Sequence, residues 1–138
     1  MDNQEILIWY IEPESIQDPA QLDRFLRWLS PEECHAVAQA SENDRSTQML
    51  EFWTLKESYI KAVGMGLSIA LDSFAFKLAT ATTPAHLLRL DAQADTVDAW
   101  RFWQGQPTEH HLMALAFKPE HANPIQIKAQ RADWLAQA

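Results

Sequence analysis

The sequence predicts an α+β fold in which an antiparallel sheet packs against one long helix and two shorter helices. In the first half of the chain, after one short strand, apolar residues recur at helical spacing. From Ser68 onward, apolar and polar residues alternate, which is typical of half-buried strands. Short turns separate these strands, and strands joined by short turns pair antiparallel. At 138 residues, we expect one domain over 1–138.

Helix start and stop signals mark the first half of the chain. A strand is predicted over Ile6 to Ile11. Asp-Pro-Ala-Gln at 18–21 then combines an N-cap, a proline at the first helical position and an amide at the third. Ser-Pro-Glu-Glu repeats this arrangement and predicts a helix from Pro31 to about Ala40. The long helix is expected from about Asp44 to Val63, with Gly64 as its C-cap.

The second half of the chain predicts further strands. They are expected around Phe74, Phe76 and Leu78, and over His86 to Leu90, Val97 to Gln104 and His111 to Phe117. Gln104-Gly105-Gln106-Pro107 is expected to connect the last two. A short strand over Ile125 to Lys128 and a helical turn over Arg131 to Ala136 complete the prediction.

Charge is distributed unevenly and limits the class of partner. The net charge is −8, made up of −7 over residues 1–50, +1 over 51–90 and −2 over 91–138. An acidic chain binds nucleic acid poorly, because lysine and arginine must neutralise phosphates. We therefore expect no nucleic-acid partner, and any anionic ligand should lie near the middle stretch.

The chain carries no sign of a membrane or of an oxidising compartment. No apolar run approaches the roughly 18 to 20 residues that cross a bilayer, and the first residues are polar and acidic. Cys34 is the only cysteine, so no internal disulfide can form. These features predict a cytoplasmic protein without a membrane partner.

The predicted long helix carries a distinctive group of charges. Trp53, Glu57 and Lys61 recur every four residues and share one helix face, whereas Lys56 lies about 100° round from Glu57. A carboxylate can hold Mg²⁺, and neighbouring lysines can neutralise phosphate oxygens that the ion bridges. An ordinary Glu–Lys pair on a solvated helix has the same spacing, so spacing alone leaves both interpretations open.

The residues in and after this helix also resemble a known motif. Trp53-Thr-Leu-Lys56-Glu57-Ser58-Tyr-Ile-Lys61-Ala-Val-Gly64-Met-Gly66-Leu67-Ser68 closely resembles the W-(S/T)-x-K-E-(S/A)-x-x-K-x-x-G-x-G-L signature of 4'-phosphopantetheinyl transferases. The runs 71–74, 100–103 and 111–117 resemble the second half of the larger, pseudo-dimeric class, which activates surfactin synthetase. The resemblance implies a 4'-phosphopantetheinyl transferase-like half-domain, half-sized like holo-acyl-carrier-protein synthase.

The resemblance implies a Mg²⁺-dependent transfer reaction. A serine of an acyl- or peptidyl-carrier protein would attack the β-phosphate of coenzyme A and release 3',5'-ADP. By position, Glu57 would be a metal ligand and the general base, directly or through water. Lys61 and Lys56 would contact the coenzyme A phosphates, with Lys61 among the catalytic residues. Glu12 would be the other metal ligand.

The sequence departs from the family pattern on the first strand. The family's second signature is G-(I/V)-D-(I/V)-E, and alignment keeps Glu12 but places Ile8 at the glycine and Tyr10 at the aspartate. A neutral phenol with a pKa near 10 cannot replace a carboxylate as a ligand of a hard cation. We therefore expect weakened metal affinity.

Three interpretations of the whole chain stay open. The chain could be an enzyme that self-associates or needs a partner subunit, because the resemblance covers only one half of the larger class. It could be a non-catalytic module that binds a carrier protein or coenzyme A. It could also be a structural oligomer with an exposed apolar half-interface.

Other conspicuous residues are interpreted as structural. His110 and His111 are adjacent and would face opposite sides of a strand, and Cys34-His35 has no third ligand nearby in sequence. The six tryptophans, Trp53 included, are expected mainly in the core, and the glycines at 64 and 66 in a cap and turn.

Overall fold

Three helices and two antiparallel sheets form the described part of the protein, which confirms the α+β class. The structure, a computed structural model, describes residues 7–11, 19–64, 68–91, 96–109 and 111–119. Its elements are β1 (Leu7–Ile11), α1 (Pro19–Leu26), α2 (Pro31–Gln39), α3 (Arg45–Val63), β2 (Phe74–Lys77), β3 (His86–Leu90), β4 (Arg101–Thr108) and β5 (His111–Phe117). The strand and helical turn predicted after residue 120 lie outside these ranges.

The strands divide between two sheets, where the sequence pattern predicted one. The first sheet has the order β1-β5-β4, and the second contains β2 and β3. All three pairings are antiparallel, as predicted. Strands β3 and β4 belong to different sheets, and a 3₁₀ turn at Val97–Ala99 precedes β4.

Strand β4 differs from its predicted bounds at both ends. It begins at Arg101, after the 3₁₀ turn, and it runs through the residues predicted as a connection. Its register against β5 shifts between Gly105 and Thr108. A bulge of this kind tolerates Pro107, because a bulged residue need not donate to the ladder.

The helix boundaries follow from capping chemistry. The side chain of Ser30 accepts a hydrogen bond from the Glu33 N–H, and Glu33 Oε1 accepts one from the Ser30 N–H, which completes a capping box at α2. Helix α3 ends at Gly64 with φ of 71°, the left-handed conformation that glycine adopts without strain. Helix α1 begins at Pro19, as predicted.

Helix α3 is the centre of the core. It packs against β5 and β1 on one side and contacts α1, α2 and β2 elsewhere. The hydrophobic residues with at most 1% exposure are Met49, Leu50, Phe52, Leu55, Tyr59, Phe74, Ala75, Phe76, Ala114 and Ala116. Strand β2 was predicted to be half-buried, yet Ala75 is fully buried, because α2 and α3 both contact this strand.

No helix within the described ranges is long and apolar enough to span a membrane.

Candidate active site

The charged residues of α3 point to different environments. Glu57 is half-buried and Lys61, one turn later, is exposed. Burial raises the pKa of the Glu57 carboxyl, and the charge of Lys61 partly offsets this rise. One side of α3 carries Trp53, Glu57 and Lys61, because these residues recur every four positions of the helix. This side is called here the Glu57 face.

Lys56 does not belong to the Glu57 face. Its side chain is fully buried, and its Nζ lies 3.0 Å from Glu33 Oε1. The same ammonium donates to the carbonyl oxygens of Leu71 at 2.5 Å and Phe74 at 2.7 Å, and lies 3.9 Å from the centroid of the Phe74 ring. Of the two lysines predicted to lie beside Glu57, Lys61 shares its face, whereas Lys56 pairs with the buried acid Glu33.

The sequence indicated this interior acid, Glu33, only as part of the cap of α2. Its Oε1 accepts from the Ser30 N–H at 2.8 Å, and its Oε2 accepts from the Phe76 N–H at 2.8 Å. Burial raises the pKa of Glu33 and lowers the pKa of Lys56, and the attraction between the two groups opposes both shifts. The capping pattern indicated the bond to Ser30, but no local signal indicated the partners on α3 and β2.

An aromatic cluster includes Trp53 of the Glu57 face. Trp53 stacks on Trp28, with ring centroids 4.6 Å apart. The ring of Phe25 packs edge-on against both, with its centroid 5.0 Å from that of Trp28 and 6.0 Å from that of Trp53. All three side chains are half-buried. The cluster joins α3 to the end of α1, so Trp53 is neither wholly core nor a freely exposed ring.

The first strand lies against the helix that carries Glu57. Strand β1 pairs with β5, with Tyr10 opposite Met113 and Ile11 opposite Leu112, and α3 contacts both strands. Glu12, the other predicted metal ligand, lies outside the described residues. Within the described ranges, no three His, Cys, Asp or Glu residues form a group that could hold a metal ion. A Mg²⁺ site between Glu12 and Glu57 therefore stays a prediction.

A groove of about 240 Å³ lies between α3, β4 and β5. Its lining includes Glu51 of α3, Gln104 and Gln106 of β4, and Leu112 and Met113 of β5. The last two are the register partners of Ile11 and Tyr10. Burial raises the pKa of the Glu51 carboxyl, and Asp44 adds to the rise.

Comparison with known proteins gives a consistent family. A family model described as the 4'-phosphopantetheinyl transferase superfamily matches residues 10–116. A 4'-phosphopantetheinyl transferase of Bacillus subtilis is 41% identical over 61 residues, covering 44% of this chain and 27% of the relative. The human L-aminoadipate-semialdehyde dehydrogenase-phosphopantetheinyl transferase is 32% identical over 102 residues, covering 65% of this chain and 32% of the relative. The chain thus matches a third or less of the length of these relatives.

Proposed function

Because the chain belongs to the 4'-phosphopantetheinyl transferase superfamily, we propose that it transfers 4'-phosphopantetheine from coenzyme A to a serine of an acyl- or peptidyl-carrier protein. The observation that carries this proposal is the folded signature helix. Its half-buried carboxylate, Glu57, and its exposed ammonium, Lys61, share one surface of α3. Helix α3 as a whole contacts β1. A holo-acyl-carrier-protein synthase type of reaction fits this arrangement.

Glu57 is proposed as a metal ligand and as the base for the serine proton, directly or through water. Burial raises the pKa of its carboxyl, which makes the carboxylate a better proton acceptor than an exposed glutamate. The oxygens of this carboxylate are also the kind of hard ligand that Mg²⁺ prefers. Mg²⁺, when bound, would offset charge on the diphosphate of coenzyme A.

Lys61 is proposed as the residue that contacts phosphate and stabilises charge on the leaving group. Its side chain is exposed one turn from Glu57, so its ammonium can reach a bound anion. Lys56 was expected to contact coenzyme A as well. Its ammonium is fully buried and already faces three oxygen acceptors, so its position does not support direct contact.

The proposed enzyme includes more than one chain. A second copy of the chain or a partner subunit is proposed to complete the site. The proposed arrangement is a half-domain that self-associates, with Glu12 and Glu57 as the metal ligands of each copy. Sedimentation velocity tests this, since a strictly monomeric chain at micromolar concentration contradicts self-association.

A mass assay tests the proposed activity. The chain is incubated with coenzyme A, Mg²⁺ and an apo carrier protein, and the carrier should gain one phosphopantetheine group. Glu57→Gln should remove the gain. Glu51→Gln is the matched control, since Glu51 is also a half-buried acid of α3 but has no role in the proposed reaction, and it should keep the gain. No mass gain at high concentration of the wild-type chain would remove the catalytic claim.

One observation favours a second candidate function. Tyr10 stands on β1 where the family pattern has an aspartate, and a phenol is a poor ligand for Mg²⁺. A non-catalytic module that binds coenzyme A or a carrier protein would not need the metal. Calorimetry separates the candidates: coenzyme A binding that is indifferent to Mg²⁺ and to a chelator supports the module.

A further inference from the structure

The buried pair of Glu33 and Lys56 connects three separate parts of the fold. Glu33 belongs to the first turn of α2, and Lys56 lies near the middle of α3. Glu33 binds the N–H of Phe76 on β2, while Lys56 binds the carbonyl of Phe74 on the same strand. The pair therefore holds both helices to one short strand through directional bonds.

We infer that Lys56 is a positioning residue, which together with Glu33 sets the rotation of α3 and thereby presents Glu57 and Lys61 to the substrate. This inference rests on the proposed function. Consecutive residues of a helix point about 100° apart, so the direction of Lys56 fixes the direction of Glu57. With Lys56 held inward, Glu57 lies at the boundary and Lys61 follows on the same face.

The chemistry of the pair suits positioning better than simple stabilisation. Most of the other buried side chains of α3 are apolar, such as Phe52 and Leu55. The buried hydroxyls of Thr54 and Ser58 donate to carbonyl oxygens of α3 itself, so these bonds do not hold the helix to another element. Apolar side chains tolerate a small rotation of a helix, because their contacts are not directional. Hydrogen bonds from one ammonium to the carbonyls of Leu71 and Phe74 do not tolerate it, because they weaken steeply when misaligned.

Burying an ion pair also gives little net stability compared with apolar residues of similar volume. The pair is fully buried and hydrogen-bonded, and its lysine directly precedes the proposed catalytic acid. The geometry that the pair imposes therefore explains it better than stability does. A role limited to holding the fold together predicts that a neutral replacement of both residues is sufficient. A positioning role predicts that it is not.

The test compares wild type with Lys56→Met and with the double variant Glu33→Gln/Lys56→Met, and uses Lys77→Met as the control at an exposed lysine of β2. The measurements are thermal stability, Mn²⁺ affinity by electron paramagnetic resonance, and coenzyme A affinity by calorimetry with chelator present. Amide exchange of α3 is followed without ligand. The control should match wild type throughout.

We expect Lys56→Met to lose stability, and the double variant to recover only part of it, because no buried charge is left unpaired but the carbonyls of Leu71 and Phe74 lose their donor. Mn²⁺ affinity should stay about 10- to 100-fold weaker in the double variant, the usual effect of removing a group that orients a metal ligand. Amide exchange around Glu57 should stay faster than in wild type, while coenzyme A affinity in chelator should not change.

Two results would overturn the inference. A double variant with wild-type Mn²⁺ affinity and wild-type exchange would show that the pair does not position Glu57. Loss of coenzyme A affinity in chelator would show that Lys56 contacts the phosphates directly. If the wild-type chain itself binds no Mn²⁺ and transfers nothing, the proposed function fails, and amide exchange around Glu57 then decides the inference alone.

Discussion

The Nζ of Lys56 lies 3.0 Å from Oε1 of Glu33, and neither side chain has exposed surface. This contact separates two neighbouring residues of the signature into different environments. Lys56 faces the interior, and Glu57 lies at the boundary with solvent. The Lys-Glu dipeptide of the motif thus combines one residue that anchors α3 with one that is available for chemistry.

Removing one member of this pair should strongly destabilise the protein. We expect Lys56→Ala to lower the free energy of unfolding by about 3–5 kcal/mol, because the Glu33 carboxylate would stay buried without its counter-charge. Urea denaturation measures the change. Lys77→Ala, at an exposed position, should stay within about 0.5 kcal/mol of wild type. A loss for Lys56→Ala as small as that of the control would contradict the interpretation of the pair as a buried, charged contact.

Local signals in the sequence predicted the helices well. The capping residues before α2 and the glycine after α3 act over three or four residues, so their effect can be deduced from the chain itself. The bounds of β3 and β5 were also predicted correctly, since each is a short apolar run between turn residues. The spacing of four residues was enough to predict that Glu57 and Lys61 lie on one face of the helix.

Long-range contacts could not be deduced in the same way. The bond from the Phe76 N–H to Glu33 joins residues 43 positions apart, and periodicity gives the face of a residue but not its partner. Lys56 was therefore assigned to a ligand, although its ammonium lies inside the protein. The start of β4 was also predicted wrongly, because Val97, Asp98 and Ala99 alternate between apolar and polar as strand residues do, although they form a 3₁₀ turn.

Acid should weaken the contact between Glu32 and Arg89. The Arg89 guanidinium donates to both carboxylate oxygens, at 2.6 and 2.9 Å, and this hydrogen bonding lowers the pKa of Glu32 from 4.5 to about 2. A carboxyl whose pKa is lowered by folding stabilises the protein fully above pH 4.5 and loses that contribution as the pH falls toward 2.

We expect Glu32→Gln to lower the free energy of unfolding by about 0.2–1 kcal/mol above pH 4.5, the usual contribution of ion pairs near the surface. The difference from wild type should shrink as the pH approaches 2. Denaturation curves recorded near pH 2 and above pH 4.5 measure this difference in the free energy of unfolding. Glu42→Gln, at an exposed acid, is the matched control. A difference that grows as the pH falls would have the wrong sign for a carboxyl with a lowered pKa.

Gly64 should be sensitive to substitution because of its backbone alone. Its φ is 71°, and a Cβ added there would meet no atom within 4 Å. We expect Gly64→Ala to destabilise the protein by about 1 kcal/mol, since the left-handed conformation is unfavourable for alanine. Gly64→Asn should be milder, because asparagine adopts this conformation more readily. Thermal unfolding compares the two, and equal losses would point to a cause other than the backbone angle.

Replacing Tyr10 with aspartate should strengthen metal binding if β1 supplies a ligand to the same ion as Glu57. Tyr10 pairs with Met113 on β5, and α3 contacts both strands, so an acid on β1 would be carried by a strand next to the helix of Glu57. A carboxylate adds a charged oxygen ligand where a phenol adds none at neutral pH. We expect Mg²⁺ affinity to rise about tenfold, equivalent to about 1.4 kcal/mol. Calorimetric titration measures it, with Tyr10→Asn as a control of similar size that lacks the charge. If both variants respond equally, the gain comes from removing the ring, and the metal ligands of this protein must lie elsewhere than on β1.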